Sequence, residues 1–301
     1  MGYDHDDEEE DEIVDVQAIL AEVRNDDMAT WLGVNVTLPI IANGDVFRSS
    51  TDRKTAPWAR PRKSKGSNGA EPLANSFGLP AGPDYSCRGA TKWCWPGTCY
   101  ADAIAAWLPS VRALMAHNWD VYQRNKGSAT ALTKALLPML AKFHADCAKR
   151  GVDPVFRWFW DGDIPGRRFA AAMRKVALRY CDVQFWVYTR NFDAVSALWP
   201  SPNLTVYLSV DPFNWREAHR CWERNPRVRL AFCADTWDET QELAARFDDE
   251  RRGPRCPELT GKIPLVVWGD GGTGRGACVE CGMCITGINN VRFASQKGNV
   301  G

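Results

Sequence analysis

The chain has 301 residues, of which 45% are apolar and 25% charged, with 24 Gly and 18 Pro; this is globular composition and excludes a wholly disordered, collagenous or coiled-coil protein. No apolar run approaches the roughly 18 residues of a membrane span, and the acidic N-terminus lacks the basic and apolar regions of a secretory signal, so a cytoplasmic protein without a membrane anchor is expected. Basic and acidic residues balance at 37 each, yet eight of the acids crowd into Asp4 to Glu12, which leaves the rest of the chain with a net charge of about +8.

Residues 1–12 read as an acidic, solvated tail, because a like-charge block cannot pack. Ile13, Val16, Leu20 and Val23 then recur at helical spacing and predict a short amphipathic helix. The stretch 49–76 has no periodicity and is rich in Ser, Pro, Lys and Arg, so residues 13–74 are expected to be an N-terminal helix followed by an extended or mobile basic linker. Arg53, Lys54, Arg60, Arg62, Lys63 and Lys65, with Trp58 among them, could hold a phosphate backbone and stack one base, which makes nucleic acid a candidate partner; a solvated linker is the simpler reading.

Residues 75–301 form the third expected region, and from residue 100 helical patterns alternate with β-rich runs. Val111, Leu114, Met115 and Tyr122 mark one helix; residues 132–147 mark another, which Pro138 should kink. Strands are predicted over 155–160, 183–189, 204–210, 228–233 and 263–268. Helices are predicted between them over 167–180 and around Ala194, Ala218 and Leu243, the last opened by a capping box from Thr236 to Glu239. Strand, helix, strand at this spacing means parallel crossover units, hence an α/β fold that is either doubly wound or a full or partial barrel; a partial barrel with an N-terminal extension is the expectation.

Each predicted strand ends in polar residues: Asp161 and Asp163, Thr189 and Arg190, Ser209 and Asp211, Asp235, and Asp270. Loops at the carboxyl ends of parallel strands converge on one face, so these groups are candidates to line a shared pocket, although Asp and Ser also serve as helix N-caps.

Eleven Cys without a secretory signal are not expected to form disulfides. Cys87, Cys94 and Cys99 are spaced C-x6-C-x4-C; Cys278, Cys281 and Cys284 are spaced C-x2-C-x2-C, with Cys256 upstream. Two-residue loops let successive thiolates face one centre, as iron–sulfur clusters and zinc require. Zinc is the rival, but neither group has the His of a finger pattern, and three thiolates in seven residues suit a 4Fe–4S cube, where each binds its own iron. Cys147, Cys181, Cys221 and Cys233 stand singly in helix or strand patterns and read as small core residues. Trp93 and Trp95 flank Cys94 and could shield a cluster from water. No P-loop, serine-hydrolase elbow or zincin motif is present.

Asn75-Ser-Phe-Gly-Leu-Pro80, Cys87-Arg-Gly-Ala-Thr91, Trp93-Cys94, Cys99-Tyr-Ala101, residues 157–164 with their Gly162-Asp163 end, Val187-Tyr-Thr-Arg190 and the terminal cysteine set resemble the phage gene product 88 family. The resemblance covers about residues 75–290; Arg88 stands where Pro is expected. The family's layout is similar to that of radical SAM enzymes, which implies a three-Cys loop after the first strand and a partial barrel of six strand–helix units. It also implies S-adenosylmethionine (SAM) as a possible cofactor, with Asp163 near the methionyl amine, Ser209 and Asp211 near the ribose, and Arg190 in the same pocket. The spacing C-x6-C-x4-C, with Thr98 before Cys99, departs from the radical SAM loop. On this resemblance Cys87, Cys94 and Cys99 hold a cluster with one open iron while Cys256, Cys278, Cys281 and Cys284 hold an auxiliary one; alternatively the two groups meet at a single centre. The competing reading is a zinc-stabilised protein that binds nucleic acid or another partner without catalysis. No residue identifies a substrate.

Overall fold

We describe a computed structural model of the chain over residues 45–57, 73–99, 109–249, 253–268 and 274–295, all within one compact unit spanning Ile41–Gly301. The acidic tail, the helix expected from Ile13, Trp58, the basic residues Arg60 to Lys65, Tyr100 and Asp270 lie outside the described residues.

The described helices and strands follow in chain order: α1 (Pro109–Asn125), α2 (Ala129–Arg150), β1 (Val155–Trp158), α3 (Arg167–Arg179), β2 (Gln184–Thr189), β3 (Leu204–Val210), α4 (Trp215–Arg224), β4 (Arg229–Ala234), α5 (Trp237–Ala244), β5 (Val266–Trp268), β6 (Gly274–Gly276), α6 (Ala277–Cys281), α7 (Met283–Thr286) and β7 (Val291–Ala294). A 3-10 turn, Phe192–Leu198, joins β2 to β3. The capping box that opens α5 is present as the sequence predicts, with the Thr236 side chain accepting from Glu239 N and the Glu239 carboxylate accepting from Thr236 N.

Five strands form one parallel sheet in the order β1-β2-β3-β4-β7. Spatial order thus follows chain order, and right-handed crossovers then place α3, the Phe192–Leu198 turn, α4 and α5 on the same face, which curls the sheet into a half-barrel instead of the two-sided doubly wound form. Along one edge the extended residues before the first cysteine add a further rung: Ser76 pairs in parallel with Arg157, with Arg157 N donating to Asn75 O and Phe77 N to Arg157 O. Ser50 then pairs with Ser76 from outside. At the other edge Arg255 pairs in parallel with Arg292 of β7.

Two sequence expectations change. The run 263–268 is not a barrel strand: β5 pairs antiparallel with β6 in a separate two-stranded hairpin, and its place in the sheet is taken by β7. Residues 49–57 are not a loose linker, because Arg53–Thr55 forms a 3-10 turn whose Thr55 is buried and bonded to Asn75. Helix α2 runs through Pro138 as one helix; proline deprives the Lys134 carbonyl of its donor, and at the neighbouring residue the Ala135 carbonyl accepts from Phe47 N at 3.1 Å.

Alternation sorts the strand residues between two faces. Phe156, Trp158, Phe185, Val187, Val206, Leu208, Leu230 and Phe232 belong to the large core shared with α2 to α5. At its centre Phe77 meets Trp158, Phe159, Phe47 and Phe169 at ring separations of 5.3 to 5.8 Å. The opposite, inner face carries Tyr188, Tyr207, Ala231, Val291 and Phe293, which form a second apolar group with Cys256 and Cys284.

Two glycines bring the first cysteine loop onto the sheet. Gly162 has φ +77°, and a Cβ there would lie 2.3 Å from Leu79 O and 2.4 Å from Ser86 Oγ. A Cβ on Gly89 would lie 2.1 Å from the Arg190 carbonyl oxygen, which is backbone and has little room to yield.

Two mutational outcomes follow. Phe77→Ala should cost ~3–5 kcal/mol of stability in denaturant melts, as for a large side chain removed from a packed core. Gly89→Ala should make Cys94 at least roughly tenfold more reactive toward a thiol reagent, with the far-ultraviolet spectrum retained, whereas Gly127→Ala, where a Cβ meets nothing within 4 Å, should leave that reactivity unchanged.

Candidate thiol site

The seven clustered cysteines are all free thiols and all half-buried. They fall into two sets at different places on the half-barrel.

The first set lies on the loop that crosses the carboxyl ends of the strands. Tyr85 N and Cys87 N both donate to Gly82 O, and Ser86 Oγ donates to Pro80 O while accepting from Asp163 N. Farther along, Thr91 Oγ1 donates to Asp211 at 2.7 Å and Trp93 Nε1 to Asp235 at 3.0 Å. These bonds fix Cys94 above the ends of β3 and β4. Exclusion of water pushes the Cys87 thiol up to about 12, with the Asp163 carboxylate adding to the effect. Cys94 is also raised by burial, against the pull of Arg190.

The polar residues at these strand ends are tied to one another. Asp163, 6% exposed, accepts from Ile164 N at 2.6 Å and from Arg190 N at 2.7 Å; burial nevertheless raises its pKa. Arg190 donates through Nε to Asp211 at 3.2 Å and lies 5.7 Å from the centre of the Trp93 ring. Burial alone would lower the Arg190 pKa, but Cys233, Cys94 and Asp211 hold it above its ordinary value. Asp211 is fully buried and also accepts from Phe213 N. Ser209 is buried on β3, its carbonyl accepting from Asn214 Nδ2. The predicted group of Asp163, Arg190, Ser209 and Asp211 therefore does gather at one end of the sheet, where the two carboxylates brace the loop and strand ends.

One member of this region escaped the sequence reading. Cys233 is buried near the end of β4, one residue past the Val210–Phe232 pair that closes the β3–β4 ladder, and within electrostatic reach of Arg190, Asp211 and Cys94. The signal was available in the alternation: Arg229, Ala231 and Cys233 take turns with Leu230 and Phe232, so Cys233 faces away from the helix-covered core.

The second set lies on the inner face. Cys256 is delivered by the segment that pairs with β7, with Cys256 N donating to Arg292 O at 3.0 Å. Cys278 and Cys281 lie on α6 and Cys284 on α7, two short helices joined at Gly282. Helix α7 is pinned to the sheet because Ile285 O accepts from Gln184 Nε2 and Thr205 Oγ1, at 3.0 and 2.9 Å. The four sulfurs act on one another electrostatically, Cys284 feeling Cys278, Cys256 and Cys281. Burial pushes Cys278 up to about 11 and Cys284 up to about 12.

Cations stand beside this set. Lys54 pairs with Glu258 at 2.8 Å and Arg157 with Asp52 at 2.5 Å, and both lie near Cys278. Lys54, one of the candidate phosphate contacts in the sequence, is thus engaged within the fold, while most of the basic segment lies outside the described residues. Among the described residues no three His, Cys, Asp or Glu side chains stand at metal-holding distances. No described helix is long and apolar enough to cross a membrane.

The Gene product 88 family model matches residues 47–287. The Gene 88 proteins of Mycobacterium phages D29 and L5 are 32% and 33% identical to the chain over 253 residues, covering 83% of it and 98% of each relative. No solved structure matches. The match takes in both cysteine sets, the Gly162-Asp163 turn and the Arg190 brace, and the chain belongs to the bacteriophage Gene product 88 family.

Proposed function

We propose that the protein is an iron–sulfur protein in which Cys256, Cys278, Cys281 and Cys284 hold a 4Fe–4S cluster on the inner face of the half-barrel. The observation that carries this reading is that four free, half-buried thiols, Cys256 from the segment beside β7 and Cys278, Cys281 and Cys284 from the adjoining helices α6 and α7, lie within electrostatic reach of one another. The donor chemistry suits the group, since such clusters are held by four Cys thiolates. Lys54 and Arg157 are placed to offset thiolate charge, and the rings of Tyr188 and Phe293 exclude water from one side. Ligation requires the sulfurs to draw together and lose their protons, as in metal sites that are assembled by the metal itself. Bound there, the cluster would supply one-electron transfer or hold the β7 edge to the inner face.

Cys87, Cys94 and Cys99 form the second proposed site, distinct from the first because they lie at the carboxyl ends of the strands. Radical SAM chemistry there is not favoured. A methionyl amine needs an acceptor, yet Asp163 already takes two backbone donors and Asp211 takes three groups. Pulling either carboxylate away would release the loop it braces.

Anaerobic purification should give a brown protein with iron and sulfide in equal amounts. Cys281→Ala should lose the iron of the inner site and keep that of Cys87, Cys94 and Cys99; loss of all iron would mean one shared centre. A colourless protein carrying stoichiometric zinc would overturn the proposal in favour of a structural metal. Reduction with dithionite in the presence of SAM should give no 5'-deoxyadenosine, and multiple turnovers of that product would show that Asp163 and Asp211 do more than brace.

A further inference from the structure

Tyr85 stands on the loop of the first cysteine set with 45% of its surface exposed. Tyr85 N and Cys87 N donate to Gly82 O, and Ser86 Oγ donates to Pro80 O while accepting from Asp163 N, so the turn is tied to the residues that follow β1. From this ring an aromatic series runs inward. Trp119 of α1 lies 5.5 Å from Tyr85 and 5.1 Å from Tyr122, and Tyr122 lies 6.1 Å from Phe169 in the first turn of α3. The series passes from the exposed Tyr85 through the half-buried Trp119 to the buried Tyr122 and Phe169. Tyr85 and Trp119 meet edge to face at 78°. Whichever ring supplies the edge, Trp119 leaves at least one face of the Tyr85 ring uncovered.

Cations border the series. Arg88 follows three residues after Tyr85 and is exposed, and Arg167 and Arg168, also exposed, open α3 immediately before Phe169. Burial raises the Tyr122 pKa while Arg88 and Arg168 act against it, which agrees with both guanidinium groups lying near that hydroxyl. Against these charges residues 81–92 set one acid, Asp84, and the first turn of α3 sets none. An exposed ring held in place beside guanidinium groups suits single-stranded nucleic acid, because the ring takes the face of an unpaired base and the cations take phosphates. The ring is fixed beforehand, so little ordering entropy is lost on binding. Outside the acidic block Asp4 to Glu12 the chain carries about +8, which draws a polyanion toward it.

We infer that the surface formed by Tyr85, Arg88, Arg167 and Arg168, backed by Trp119, binds single-stranded nucleic acid, with a base stacked on Tyr85 and backbone phosphates held by the arginines. The inference goes beyond the iron–sulfur reading and requires neither a metal nor the basic residues Arg60 to Lys65.

The test is fluorescence anisotropy of the full chain with a labelled oligothymidylate of about 20 nucleotides, longer than the ~4–16 that one such site occupies. Binding should fall steeply with salt and exceed that of a duplex of equal length. Tyr85→Ala should weaken it roughly tenfold and Tyr85→Phe, which keeps the ring, should retain it. Arg88→Gln should lower the slope of log affinity against log salt by about 0.7, the share of one phosphate on a single strand. A chain with Arg60, Arg62, Lys63 and Lys65 all replaced by Gln should still show the loss on Tyr85→Ala. Far-ultraviolet spectra check that each variant is folded. No binding at low salt, a duplex bound as tightly as the single strand, or affinity and salt slope untouched by Tyr85→Ala and Arg88→Gln would overturn the inference. Capture by phosphatidylserine vesicles without a response to oligothymidylate would assign the surface to anionic lipid and overturn it as well.

Discussion

A parallel sheet cannot leave either face to water, and the structure follows from how this chain covers the second one. Helices laid down by the crossovers cover the outer face with a continuous aromatic and aliphatic core. The inner face receives none of the helices that join β1 to β2, β2 to β3 or β3 to β4, because strand order follows chain order. Beside Ala231 and Val291 it carries Arg157, Tyr188, Tyr207, Arg229 and Cys233, and it is covered by the Arg53–Thr55 turn from one side and by the Cys256 segment with α6 and α7 from the other. A short, polar plug buries little apolar area. Ion pairs and hydrogen bonds therefore add there to the packing of Tyr188, Tyr207 and Phe293.

The part of this that could be read in the sequence is the part with a period. Strands β1 to β4 lie within a few residues of their predicted bounds because short β-branched and aromatic runs between turns have few other uses, and the capping box of α5 is a pattern with its own hydrogen bonds. Residues 49–57 carry no period, since they are held by the Ser50–Ser76 bridge and by Thr55 bonding to Asn75, and such contacts between distant residues leave no local trace. The misplacement of 263–268 has a related cause. An apolar run announces a strand but not its partner, and Val-Arg-Phe-Ala at β7 is too short and too polar to compete with it on pattern alone.

The candidate site was legible as chemistry and not as geometry. The cysteine spacings mark out two groups of thiols without placing them, and the fold puts one at the carboxyl ends of the strands and one inside the curl. The strand-end polar residues converge as parallel topology requires, but their bonding partners recast them. Asp163 spans from Ile164 N to Arg190 N, and Asp211 links Arg190 with Thr91, so charge that the sequence offered to a ligand is committed to holding one loop.

The pairing of Arg255 with β7 has a consequence for the solubility of the protein. A half-barrel is an open sheet with two edges, and an uncovered edge is a template for another chain. Ser50 covers one edge and the Cys256 segment covers the other, where Cys256 N and Arg292 N bond across the join. The residue that guards this edge is thus also one of the four inner thiols. Oxidation that pulled Cys256 away would unmask the backbone of β7, and damage to a single sulfur would be felt as self-association of whole molecules.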